Sequence, residues 1–371
     1  MAGARKSVAP ILLASLRDLQ WRSRRFALAA LAAGLVFGVA LMMSGVANSF
    51  SVEITNTVNI LGASSWLVRA GSPGPFTDPA PFPATAVAAI RHAPGVQAAD
   101  PIFVGRALTS GAVKSDPGTS TSPGDESDVN VLGVVPGGVG APPVVAGQPL
   151  AGRHSVVLDE SLGVGVGKNI ALNGTVFTVV GLVDGVTYFA GQPTAFVTLA
   201  SADELDAGGL PLATAVLIRG APSQPIPGFT TLTDAQVRTD LGRPTAEADK
   251  TIQLIEVLLW FVAAGIIGAI VYLSALERRN DFAVLKAVGT PSMYLFTGLV
   301  IQSIAMALGA AAIGILVEIP MAGGSQMAVR LSTSDYLAVP VVAVIVGVVA
   351  SVFPARRAAS IDPAVAFGGG K

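Results

Sequence analysis

The stretch LERRNDFAVLKAVGTP, residues 276–291, sets a dense run of charge between two long apolar segments. Glu277, Arg278, Arg279 and Asp281 end the first apolar run, and Gly289-Thr290-Pro291 breaks the chain before the second. Between them, FAVLKAV (282–288) is long enough for a short helix that leaves Lys286 exposed. A plain surface loop would explain the charges. Seven apolar-rich residues ended by Gly-Thr-Pro instead ask for an amphipathic helix lying along a membrane face, an element suited to dock in a groove of a partner.

The flanks decide whether there is a membrane. The chain has 371 residues, 51% hydrophobic and 13% charged, with a mean hydropathy of +0.64, too apolar for an ordinary soluble domain of this length. A helix crosses the ~30 Å hydrocarbon layer in roughly 17–25 apolar residues. Segments 26–48, 251–276, 292–319 and 336–354 satisfy this and are read as four spans. Arg22, Arg24 and Arg25 ahead of the first give it the look of a secretory signal. Its apolar run is too long for one, since a signal core has about 7–15 residues. Net charge is −1, so no basic field points to nucleic acid. With no cysteine, disulfides, thiolate metal sites and a cysteine nucleophile are excluded.

Orientation follows from the Lys and Arg residues near the span ends. Arg5, Lys6, Arg17, Arg22, Arg24 and Arg25 precede the first span, Arg278, Arg279 and Lys286 separate the second and third, and Arg356, Arg357 and Lys371 follow the fourth. Four spans place all of them on one side, the cytoplasm, with both termini inside. The segment 1–25 then carries an amphipathic elbow helix around LLASLRDLQW (12–21), whose Ile11, Leu12, Leu16 and Leu19 share a face. The segments 277–291 and 355–371 are cytoplasmic, while 49–250 and the short loop 320–335 are external.

About 200 residues suffice for a separate core, so 49–250 is expected to be an α+β extracytoplasmic domain inserted between helices 1 and 2 of an α-helical membrane protein. Runs at 65–69, 103–109, 129–134, 155–158, 175–183, 194–199 and 213–219 read as strands, rich in Val, Phe and Thr. Helical pieces are expected at 84–92 and 201–206, the latter capped by Ser201 with Glu204 as the second half of a capping box. Residues 114–128 read as a solvated loop. Near the membrane, 51–60 and 245–255 lack Gly and Pro, and Thr245 can cap a helix running into the second span. Both spans thus extend outward as a helical stalk.

Motifs that suggest chemistry are outweighed by plainer readings. GVGVGKN (163–169) ends like a phosphate loop, but Leu162 and Asn169 stand where Gly and Ser or Thr are needed; a turn into 169–172 is the better reading. His92 and His154 are the sole histidines, too few for a transition-metal site without cysteine. His154 and Ser155, with Asp159 nearby, are chain neighbours that point to opposite faces of a strand and cannot form a nucleophile–base pair. The pairs Gly34/Gly38, Ala264/Gly268, Ala305/Gly309 and Gly347/Ser351 match a small-x-x-x-small pattern, which a chain this rich in Ala and Gly yields by chance. Glu256 and Glu318 lie toward external span ends, where headgroup-level solvation is favoured.

The opening stretch then carries a resemblance. Glu277, Arg278, Arg279, Ala283, Leu285, Lys286, Ala287 and Gly289 match the E-R-R-x-E-x-A-x-L-[RK]-A-x-G motif of FtsX-like/MacB-type permeases, membrane subunits of ATP-binding cassette (ABC) systems, with Asp281 where Glu is usual. FPARRAASIDPAVAF (353–367) is similar to the family ending through Pro354, Ala355, Arg356, Arg357, Ala358, Asp362, Pro363 and Ala364. Residues 156–183 resemble the external-domain pattern, with Lys168 replacing the usual Asp. FAVLKAVGT is similar to the wording of the DevC exporter subgroup, whose permeases pair with an adaptor protein.

The resemblance implies a non-catalytic subunit of the bacterial plasma membrane, packed with a second permease copy, identical or different, and with cytoplasmic ATPase subunits. This chain would bind no cofactor; ATP and Mg belong to the ATPase. Residues 277–289 would be the coupling helix that receives its motion, and stalk and external domain would respond by mechanotransmission. Export or extraction of a lipid, peptide or hydrophobic compound is the first expectation. A signal transducer activating an external cell-wall hydrolase is the alternative, and a membrane-anchored sensor or adhesin without ATPase the third.

Overall fold

In the computed structural model, residues 23–110, 127–205, 208, 210–289, 291–323 and 333–359 are described. The chain divides into two compact units, 1–48 with 250–371, and 49–249. In chain order the first element is helix α1 (Ser23–Ile60). It contributes to both units, and no Pro interrupts its 38 residues.

The second unit is an α/β domain. Its elements are β1 (Ser65–Arg69), β2 (Phe82–Pro83), α2 (Val87–Ile90), β3 (Val96–Ser110), β4 (Ser127–Val134), β5 (Ala146–Gly147), β6 (Ser155–Asp159), β7 (Asn169–Leu172), β8 (Thr175–Val183), β9 (Thr187–Tyr188), β10 (Gln192–Thr198), α3 (Leu199–Leu205), β11 (Leu212–Ala213), β12 (Ala215–Gly220), β13 (Phe229–Leu232) and α4 (Asp234–Gly242). The main sheet runs β13-β1-β12-β3-β4-β10-β6-β8-β5. The long β3 joins its halves: Val96 to Ile102 pair with β12, and Phe103 to Thr109 pair with β4. Strand alternation sends neighbouring residues into two different cores. Leu132, Val157 and Phe196 pack with Trp66 and Tyr188, whereas Val131, Leu158 and Val197 pack with Phe103 and Phe177. Both faces are covered, so the central strands read as continuous apolar runs.

The expected strands at 65–69 and 175–183 coincide with β1 and β8. Two helix starts differ from expectation. Helix α3 begins at Leu199, and the Ser201 amide donates to the Thr198 hydroxyl at 3.3 Å, so Thr198 occupies the cap and Ser201 the first turn. Thr245 does not cap either. Its hydroxyl donates to the Gly242 carbonyl at 3.2 Å within a turn joining α4 to α5 (Ala246–Glu277). The helical run starts earlier, at a capping box in which Thr233 receives the Gln236 amide and returns its own to the Gln236 side chain. Residues 84–92 form a 3₁₀ turn and the single turn α2. The expected elbow at 12–21 and most of the loop at 114–128 lie outside the described residues.

In the first unit, α5 is followed by α6 (Arg279–Ala287), α7 (Ser292–Gly323) and α8 (Thr333–Ala359). Four helices among the described residues are long and apolar enough to cross a membrane. Close backbone approaches explain three of the small-residue pairs. A Cβ on Gly34 would lie 3.1 Å from the Ala310 carbonyl and 2.6 Å from the Ile313 side chain, one on Gly268 3.0 Å from the Ala350 carbonyl, and one on Gly347 2.7 Å from the Ile304 Cα. At Gly309 a Cβ would meet nothing within 4 Å among the described residues, so no close approach accounts for that pair. Phe37 and Trp260 join α1 to α5 edge-to-face at 5.1 Å. Elsewhere the helices present Leu, Val and Phe outward, which suits a hydrocarbon solvent.

Candidate functional site

The segment between α5 and α7 is built as a sided helix. At Arg278 the backbone leaves the helical region (φ −98°, ψ 17°), which ends α5 and redirects the chain into α6. Phe282 and Ala283 are turned inward, 5% and 0% exposed, and Phe282 joins the core of the membrane unit. Val284, Leu285 and Val288 are turned outward, with Val288 82% exposed. Helical spacing puts these three on one face, at i, i+1 and i+4. Gly289 ends the element at φ +90°, its amide donating to the Lys286 carbonyl at 2.9 Å, a left-handed stop that glycine adopts without steric cost.

Charge frames this apolar stripe. Glu277 accepts from Arg25 Nη1 of α1 at 2.5 Å, an ion pair between two helix ends far apart in sequence. Arg278 faces Asp281 at 3.8 Å and lies 5.7 Å from the Phe282 ring centre. Arg279 and Asp281 are exposed and Lys286 is half-buried. The C-terminal motif is split: Pro354 is buried, Arg356 and Arg357 are exposed in the last turn of α8, and Asp362 and Pro363 lie outside the described residues.

The sequence-level site therefore contains two kinds of residue. Ala283 and Glu277 are committed to their own chain, while Leu285, Ala287 and Gly289 face outward. Val284 and Val288 were missed because they are not part of the motif's fixed letters, although the helical period leads from Leu285 to Val288 at i+3 and from Val288 back to Val284 at i−4. Arg25 was missed as Glu277's partner; the shared level of two span ends was the available signal.

The remaining candidates serve the fold. His154 adopts φ +59° and meets Glu204 at 3.4 Å, the Ser155 hydroxyl donates to the Gly152 carbonyl, and Asp159 accepts the Ser161 and Val186 amides at 3.0 and 2.6 Å. They share no hydrogen bond that would make a nucleophile. Residues 163–169 form a turn into β7, with the Gly167 amide donating to Val179. Among the described residues no three His, Asp or Glu side chains gather as metal ligands. Glu318 departs from the expectation of headgroup solvation: it is 3% exposed and accepts the Tyr336 hydroxyl at 3.3 Å.

Comparison with known proteins gives the class first. An uncharacterized ABC transporter permease of Mycobacterium tuberculosis, Rv0072, is 38% identical over 359 residues, 97% of this chain and 100% of that one. A second from the same species, Rv2563, is 37% identical with the same coverage. The MacB-like periplasmic core domain profile matches residues 26–239, and the FtsX-like permease C-terminal profile matches 254–363. The crystal structure of the periplasmic region of MacB from Actinobacillus actinomycetemcomitans covers 51% of this chain and 98% of its own, at 12% identity and a TM-score of 0.35. The class is thus that of ABC transporter permeases. Within it, the chain belongs to the FtsX-like/MacB-type permease family.

Proposed function

We propose that this permease couples ATP hydrolysis by a separate cytoplasmic ATPase to motion of its external unit, with α6 as the docking element. The observation that carries this reading is the sidedness of α6. Phe282 and Ala283 fix the helix to the membrane unit, and Val284, Leu285 and Val288 offer an apolar stripe outward at the same place. Exposed Val and Leu within a charged frame suit a helix-in-groove contact. Both termini are cytoplasmic in this reading and the protein resides in the plasma membrane. ATP and Mg bind the ATPase, and two permease copies complete the assembly. The work done outside is export or extraction of a lipid, peptide or hydrophobic compound.

The test is affinity purification of the tagged chain from its native membrane in mild detergent, with mass spectrometry of the retained proteins. An ABC ATPase is expected in the wild-type complex and absent from the Val284→Asp/Val288→Asp variant. Retention of the ATPase by a folded variant would refute docking through α6. An external hydrolase in place of an adaptor or cargo would move the reading to signal transduction.

A further inference from the structure

Helices α5 and α8 leave a groove of 490 Å³ between them, lined by Phe261, Gly265, Gly268, Tyr272, Phe353 and Pro354 among others. Its rims are aromatic and open outward, with Phe261 65% and Phe353 67% exposed. Tyr272 and Phe353 close one end with ring centres 5.3 Å apart. From Phe261 to Tyr272 the groove follows α5 for about 16 Å, half of the ~30 Å hydrocarbon layer and so one leaflet deep. Immediately beyond the closed end, helical register sets the exposed Arg356 and Arg357 one turn past Phe353 and Pro354.

We propose that this groove binds one acyl chain of an anionic phospholipid in the leaflet at the C-terminal end of α8, with Arg356 and Arg357 holding its phosphate. The lining matches a hydrocarbon tail, the length matches one leaflet, and the guanidinium pair suits a phosphate oxyanion. A second copy of this chain is a poorer occupant. Contact about a twofold axis along the membrane normal would bring the same arginine pair from each copy to one level, like charge against like. The proposal does not rest on the ATPase reading and stands or falls separately from it.

Gly265 provides a clean probe, because a Cβ placed there meets nothing within 4 Å. The full chain, with whatever subunits co-purify, is incubated with phosphatidylglycerol or phosphatidylcholine in mixed micelles, and retained lipid is read by native mass spectrometry. Phosphatidylglycerol should be held at about tenfold lower concentration than phosphatidylcholine. Gly265→Phe should lower retention of both lipids, and Gly265→Ala should preserve it. Arg356→Gln with Arg357→Gln should reduce phosphatidylglycerol to the level of phosphatidylcholine. Equal retention of the two lipids by the wild type would overturn the proposal. So would a folded Gly265→Phe that keeps its lipid, and if that variant also splits a dimer the groove is a contact between copies. Should Gly265→Phe fail to fold, loss or persistence of the headgroup preference in the arginine variant decides the matter.

Discussion

Asp203 shows how far single-residue reasoning reaches. Sequence placed it beside Glu204 in a helix capped by Ser201; in the structure its carboxylate is buried and accepts the Leu212 amide at 3.3 Å. Burial pushes its pKa above the ordinary value, the Leu212 hydrogen bond opposes this, and neighbouring Glu204 adds to it. Glu204 is itself shared with Arg153 at 3.0 Å and His154 at 3.4 Å. A raised carboxyl favours its neutral form in the fold, so its contribution is complete below the unfolded value and is lost as pH rises through the folded one. Asp203→Asn keeps an oxygen acceptor for Leu212 and removes the charge. Thermal unfolding of the full chain in detergent should give a variant at least as stable as the wild type near neutrality, with a flatter profile as pH rises above the ordinary aspartate value. A variant clearly weaker at neutral pH would show that the ionised carboxylate is needed. The same limit of scale governs the motif residues. Ala283 carries a matched letter yet is 0% exposed, and identity alone does not distinguish a residue that docks from one that packs.

At the scale of elements, strands bounded by Gly, Pro or Asn were readable, while the turn between β9 and β10 was not. Phe189, Ala190 and Gly191 adopt φ of +55°, +65° and +86° in succession, and two of these are side chains that disfavour the left-handed region by roughly 1–2 kcal/mol each. Distant partners hold the turn there. Asp159 accepts the Val186 amide, Asn130 donates to the Tyr188 and Gln192 carbonyls, Thr57 donates to the Thr187 carbonyl, and the buried Glu53 accepts the Gly191 amide at 3.1 Å. Glu53 and Thr57 lie on one face of α1, one turn apart, two polar letters in a helical stretch that also carries Val52, Ile54 and Val58. No local signal could announce this contact, since every partner is more than twenty residues away. Glu53→Ala should therefore release the turn. Hydrogen exchange across residues 184–192 of the full chain should accelerate by about tenfold, the equivalent of one lost charged hydrogen bond. Ala190→Gly removes a steric penalty and should slow it instead; unchanged exchange in both would mean that neither clamp nor strain controls the turn.

For the whole molecule, lipid makes the sequence legible. A spanning backbone must satisfy its hydrogen bonds internally, so the four spans declare themselves as apolar runs, and the α/β unit fills the long interval between the first two. What hydropathy leaves open is the side on which each part lies, and that rests on Arg and Lys placement alone. The chain contains no cysteine, so every introduced thiol is unique. Leu210 in the external unit is 61% exposed and Val288 beside α6 is 82% exposed, making both accessible without disturbing a core. In intact cells a membrane-impermeant maleimide should label Leu210→Cys, and should reach Val288→Cys only after permeabilisation. Labelling of Val288→Cys in intact cells would place α6 outside. The coupling reading would then fail however well α6 suits a groove, because ATP and its enzyme are in the cytoplasm.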